Sequence, residues 1–255
     1  MKQSLLILMF LPVLGMAQPH EGKVMYQETL DMDIEARAQR IRERMDGVEG
    51  ADAIIARMKE MQKSQKVLTF TPTQSYYKAY EDPTEPKELD GSSGATRRGM
   101  MRPKLEVYQN LAEGRAVSQQ DFMGKLFLVK MDMKDQKWKL TPESDTIAGY
   151  LCQKATSMKD TLQVEAWFCP QIPVSAGPVG FGQLPGLILK LNVEKRYQVQ
   201  ATKVTFEPVD EASFHEPDKG KEVTEEEFTE LVKEKMKEMR EMYGGERGGM
   251  RMMMH

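Results

Sequence analysis

The chain is poor in the residues that most enzymes use, with two cysteines and three histidines in 255 residues. His20, His215 and His255 are far apart and carry no H-E-x-x-H spacing, so no histidine-built zinc site or histidine-centred triad is legible. G-x-S-x-G, C-x-x-C and P-loop signatures are absent as well. No apolar run approaches the roughly 20 residues of a membrane-spanning helix. Lys and Arg number 36 against 39 Asp and Glu, a formal charge of −3 that gives nucleic acid no basic field to meet. These absences predict a non-enzymatic protein with no nucleic-acid partner and no transmembrane segment.

What is present begins with a leader. Lys2, the apolar run Leu5 to Leu14 and the small residues Gly15 and Ala17 have the form of a secretory signal peptide over residues 1–17. Cleavage near Ala17 would deliver a soluble protein to the periplasm or the medium. In such an oxidising compartment Cys152 and Cys169 are expected to form a disulfide, with a free pair as the alternative. Ile147–Thr156 and Leu162–Ile172 read as the two strands of a hairpin, and a turn at Asp160-Thr161 sets the cysteines opposite one another. That loop size corresponds to a stabilisation of roughly 3 kcal/mol in the chain-entropy model.

Most of residues 18–222 reads as strand. Val24 and Tyr26 alternate with polar neighbours, as do Leu187, Leu189, Leu191 and Val193. Between the first strands the period changes. Ile34, Ala38, Ile41 and Met45, then Ile54, Met58 and Met61, predict an inserted helical pair over 31–65. Arg37, Arg40, Arg42 and Arg44 lie among acids and form a solvated face. Residues 81–104 hold eight Gly, Pro and Ser, a loop too long for an ordinary connection. Thr224-Glu225-Glu226-Glu227 has the form of a capping box opening a helix over 223–243, ended by Gly244-Gly245 and followed by a flexible tail over 244–255. Successive strands with short polar connections favour antiparallel pairing. The expected fold is therefore α+β: a curved, incomplete barrel-like antiparallel sheet of about eight strands, with the helical insertion and a C-terminal helix.

Residues 167–191 carry the most specific pattern. Pro185-Gly186 suits a type II turn with Gly186 at positive φ, and Leu184 before proline is extended. Gly177, Gly180 and Gly182 do not make a dinucleotide fingerprint. Gln183-Leu184-Pro185-Gly186-Leu187-Ile188, with Ile-x-Gly-Tyr-x-Cys-x-Lys-Ala at Ile147–Ala155 and Trp167 before Ile172-Pro173-Val174, resembles the GLPGLI family of exported proteins of Gram-negative bacteria. Gln183 replaces the family's first glycine, so the backbone there need not adopt a glycine-only conformation. The resemblance implies export and a β-rich domain, and brings no catalytic residue. The strand pattern is also similar in architecture to the lipoprotein-carrier fold, a curved sheet with acyl chains in its concave face.

Two binding functions follow from these readings. The first is a carrier or interaction protein of the envelope, holding an apolar small molecule or a partner protein. Phe181 and Leu184, large residues in a glycine-rich connection, then either plug the end of the sheet or gate a ligand; plugging is the expected role. The second rests on the 21 methionines. Met250, Met252, Met253, Met254 and His255 offer thioether and imidazole ligands suited to Cu(I), with Met239 and Met242 preceding them. Arg247 and Arg251 oppose that site electrostatically. No other cofactor is expected.

Overall fold

The computed structural model describes residues 20–30, 34–44, 50–81, 105–159, 161–194 and 197–249. The predicted leader, residues 82–104 and the terminal methionine cluster lie outside them. Twelve strands form one sheet in the order β12-β6-β5-β4-β3-β2-β1-β11-β10-β9-β8-β7. Every pairing is antiparallel except that of β12 (Lys221–Thr224) with β6 (Lys125–Asp132). The predicted α+β class and its largely antiparallel sheet are therefore found, with twelve strands rather than about eight.

The sheet is two meanders joined at their inner strands. β1 (Gly22–Leu30), β2 (Lys63–Phe70), β3 (Gln74–Ala79), β4 (Leu105–Asn110), β5 (Arg115–Phe122) and β6 step outwards to one side. β7 (Lys139–Ile147), β8 (Tyr150–Lys159), β9 (Leu162–Cys169), β10 (Leu187–Val193) and β11 (Tyr197–Phe206) step inwards from the opposite edge, until β11 pairs with β1. Residues 133–138 join β6 to β7. Ten strand spacings of ~4.8 Å separate those strands along the sheet, about 48 Å if flat, whereas six residues and their flanking bonds reach only about 24 Å. The sheet must therefore curl, and the contact of β7 with β11 across its interior follows.

The inserted helices are α1 (Ile34–Arg44) and α2 (Ala51–Met61), between β1 and β2 as predicted. Ala38 of α1 is buried as expected, but the packing phase of α2 differs. Ile55 is buried, while Ile54 is 43% exposed, so α2 turns the residue after Ile54 to its neighbours. The C-terminal helix α3 (Glu225–Gly249) opens on the expected capping box: the Glu227 N–H donates to Thr224 Oγ1 at 3.2 Å, and the Thr224 N–H donates to Glu227 Oε2 at 2.9 Å. Gly244-Gly245 does not end it. Phe228 packs on Phe127 and edge-on to Phe122, ring centroids 5.3 and 6.1 Å apart, and joins α3 to β6. No helix among the described residues is long and apolar enough to cross a membrane.

Candidate functional site: a plugged sheet and its remaining cleft

The main core occupies the interior of the curl, and the connection between β9 and β10 supplies much of it. Ile172, Val174, Ala176, Phe181 and Leu184 are all buried in the same cluster as Val24, Tyr26, Leu68 and Phe168. The segment is pinned to itself. The Val174 N–H donates to Ile172 O at 2.7 Å and the Gly186 N–H to Leu184 O at 2.8 Å. Both are i to i+2 bonds, so Pro173 and Pro185 each sit at the centre of a γ-turn. This corrects the type II turn expected at Pro185-Gly186: the closing bond spans three residues, not four. The Leu187 N–H returns to Ile172 O at 2.9 Å and the Ile188 N–H to Ala176 O at 3.0 Å, tying the two turns together.

The opposite wall holds the plug with side chains. Gln109 Nε2 donates to Phe181 O at 3.0 Å, and the Ser75 hydroxyl donates to Gln109 Oε1. Trp138 Nε1 donates to Gly182 O at 2.8 Å, while Gln136 accepts from the Gly182 N–H and donates to Gly180 O, at 3.0 and 3.1 Å. A Cβ on Gly182 would lie 2.6 Å from both Met133 Cε and Ser175 O, so only glycine passes there. Gln183 has φ 62 and Val179 has φ 59. The backbone at Gln183 is thus left-handed, a region that favours glycine without being confined to it.

One cleft of about 270 Å³ remains beside the plug. Leu105 and Val107 of β4, Met131 of β6 and Phe181 form apolar walls, with Ser118 and Gln120 of β5 between them. Lys159 and Glu225 pair across its edge, and Lys159 Nζ lies 5.0 Å from the Phe181 ring centroid. Of the two residues expected to gate or plug, only Phe181 lines the cleft; Leu184 is inside the core.

Three tyrosines stand behind this opening. Tyr197 lines it, and Tyr77 is directly opposite Val107 in the sheet. The buried Tyr77 hydroxyl approaches that of Tyr197, but among the described residues it has no partner in ordinary hydrogen-bond geometry. Tyr26 packs edge-on to Tyr77 and donates its hydroxyl to Ile188 O at 2.6 Å. Burial pushes all three phenols well above their ordinary range, so they stay protonated donors. The Glu28 carboxylate, paired with Lys66 at 3.2 Å, pushes Tyr77 and Tyr197 the same way. Gln109 was legible as a member of this wall, since it shares the strand face of Val107 two residues on. Gln136, Trp138 and Tyr197 come from elements whose approach only the curl creates.

Cys152 and Cys169 are both buried, and both are free thiols. The expected register is found: Gln153 opposes Phe168, and Lys159 opposes Leu162, leaving two residues to connect them. The expected bond is not formed; the Cys152 thiol donates to the Tyr150 carbonyl at 3.5 Å. Among the described residues no group of three or more His, Cys, Asp or Glu is placed to hold a metal. Met236 and Met242 of α3 are 44% and 68% exposed. The nominated copper ligands Met250, Met252, Met253, Met254 and His255 lie outside the described residues.

Residues 103–226, β4 through the start of α3, match the family described as N-glycanase peptide, N-terminal domain. Two crystal forms of PNGF-II have a similar fold, each with a TM-score of 0.50 and 15% identity over 84% of this chain. The chain spans about a third of PNGF-II, 33% and 32% of the two structures. An uncharacterized conserved protein from Thermus thermophilus aligns over 81% of this chain and 91% of its own, at 8% identity and a TM-score of 0.36. No curated protein sequence matches.

Proposed function

We propose that the chain is an exported, non-enzymatic binding module of the bacterial envelope, whose plugged sheet keeps one small cleft for an apolar ligand. The carrying observation is the plug itself. Residues 172–184 occupy the interior that a lipid carrier would leave for acyl chains, and the cleft beside them is about 270 Å³. That lies at the foot of the ~300–1,000 Å³ range of small-molecule sites, so a compact molecule fits and a pair of long chains does not. The GLPGLI resemblance and the leader support export. The match to a domain named for its place at the N-terminus of an N-glycanase, in a chain spanning a third of PNGF-II, supports a role apart from hydrolysis.

Lining chemistry narrows the ligand class. Lys159 and Glu225 neutralise one another, and the Tyr197 hydroxyl is a protonated donor beside apolar walls. The cleft therefore favours a neutral, largely apolar molecule with a hydrogen-bond acceptor such as a carbonyl. Titration of the full chain with the fluorescent probe N-phenylnaphthylamine tests the reading. Saturable enhancement is expected, and Leu105→Trp, which fills the cleft from a half-buried position, is expected to abolish it while leaving the melting temperature unchanged. No enhancement, or equal enhancement in the variant, would remove the ligand and leave a protein–protein interaction module.

The soft-metal reading has one structural support. Of the two helix methionines named with the tail, Met242 is 68% exposed and its thioether is open to Cu(I), whereas Met239 is half-buried.

A further inference from the structure

We propose that Cys152 and Cys169 are a reversible dithiol–disulfide site, in which Cys169 attacks the oxidant and Cys152 closes the bond. The placement comes from register. Continuing the β8–β9 ladder one step beyond Gln153 and Phe168 sets the two cysteines directly opposite one another, on the same face of the hairpin. Opposed Cβ atoms of an antiparallel pair lie about 4.5–5.5 Å apart, so only a small approach is needed to reach the ~3.8 Å of a disulfide.

The two sulfurs are not equivalent. The Cys169 thiol is drawn below its ordinary range by the neighbouring Cys152 thiol and by the backbone N–H groups of Gln171 and Ile172, the latter donating to the Cys169 carbonyl at 3.1 Å, so its thiolate is the favoured one of the pair. Cys152 lies between Cys169 and the Tyr150 carbonyl, to which its thiol donates at 3.5 Å, and its thiol form is favoured. The chemistry is thiol–disulfide exchange with an external disulfide as oxidant. Cys169 thiolate attacks one sulfur of that disulfide; an S–S bond forms, the oxidant's S–S bond breaks, and one thiolate leaves. Cys152 then attacks Cys169 Sγ, the second thiolate leaves, and it takes up the proton that Cys152 loses. Two electrons pass from the cysteine pair to the oxidant. Both sulfurs are buried, so the exchange needs a local opening at the Cys169 end of β9, where the plug begins. Oxidation then ties the root of the plug covalently to β8.

The test uses the full, reduced chain with oxidised glutathione, followed by intact mass and thiol counting. Wild type is expected to lose two hydrogens and keep no glutathione. Cys152→Ser is expected to keep one glutathione on Cys169, at a rate about tenfold above the adduct on Cys152 in Cys169→Ser near neutral pH. Equal rates would overturn the assigned roles. Native wild type that keeps both thiols while urea-unfolded chain oxidises would overturn a site working in the folded protein. Should a variant not fold, alkylation of wild type with iodoacetamide and peptide mapping decides the same point. Cys169 is expected to label first; Cys152 labelling first, or both together, would overturn the order.

Discussion

Gly186 lies against the carbonyl of Cys169 so closely that a Cβ on it would stand 2.2 Å from that oxygen. The contact joins the two ends of the plug, since Cys169 closes β9 and Gly186 precedes β10. Both partners are backbone, so neither can rotate away. Gly186→Ala is therefore expected to destabilise the protein by about 3 kcal/mol, the upper range for overpacking. Thermal melting checks it, and an unchanged midpoint would remove the close approach as the reason for glycine.

Gln183 offers the opposite experiment. Its side chain is exposed, and its φ of 62 places an L-residue in the left-handed region at a cost of about 1–2 kcal/mol. Gln183→Gly relieves that cost and returns part of it as backbone entropy of about 0.5–1 kcal/mol. A net gain near 0.5–1 kcal/mol is expected, seen as a higher denaturation midpoint with an unchanged slope. Loss of stability would mean that Gln183 makes an interaction worth more than its strain.

Local signals were readable in sequence and long-range ones were not. The capping box at Thr224 and Glu227 and the two-residue hairpin after Lys159 depend on neighbours within a few positions, and both are found. β5 carries little signal of its own, because Ser118-Gln119-Gln120 has no apolar alternation; Ser118 is buried where Val107 and Val129 flank it in the sheet. The plug had its turn residues in view, but not its destination. That Phe181 would meet Gln109, and Gly182 Trp138, depends on a curl set by the short passage from β6 to β7. At Gln183 the substitution told only that an L-residue fits; the left-handed strain found there is held in place by surrounding hydrogen bonds such as that of its N–H to Ser175 O.

The stability of the reduced protein should depend on pH through Cys169. The neighbouring Cys152 thiol and the backbone N–H groups of Gln171 and Ile172 draw its thiol down to about 7 from an ordinary value of 9.0. A depressed folded value means the native state holds fewer protons than the unfolded chain between those limits. Its contribution is complete above the unfolded value and fades as pH falls through the folded one, so stability rises from about pH 7 to about pH 9. Denaturation midpoints of wild type and Cys169→Ala, both kept reduced, give the comparison. Parallel pH profiles for the two proteins would show that Cys169 is not ionising in that window.

For the methionine tail the decisive comparison is full-length protein against a truncation after Tyr243, titrated anaerobically with Cu(I) against a competing chelator. A stoichiometric site lost on truncation is expected if Met250, Met252, Met253, Met254 and His255 bind the metal. Met236→Leu and Met242→Leu preserve the helix and remove two exposed thioethers, and they are expected to lower the affinity only if the helix completes the site. Equal affinity with and without the tail would end the copper reading.

Tyr26 and Tyr77 pack against one another, yet their hydroxyls differ in what they satisfy. The Tyr26 hydroxyl is buried and bonded to Ile188 O at 2.6 Å; that of Tyr77 is buried and unpartnered. Tyr26→Phe loses a buried bond and is expected to cost about 1–2 kcal/mol. Tyr77→Phe removes only a polar atom whose burial was uncompensated, so it is expected to be neutral or to stabilise by up to about 1 kcal/mol. Urea denaturation of the two variants separates these outcomes. A ligand acceptor reaching past Tyr197 to the Tyr77 hydroxyl would add a further difference: Tyr77→Phe would then weaken probe binding while leaving stability intact. If instead Tyr77→Phe costs as much as Tyr26→Phe, the Tyr77 hydroxyl must have a partner in solution, with a bound water or the Tyr197 hydroxyl supplying it.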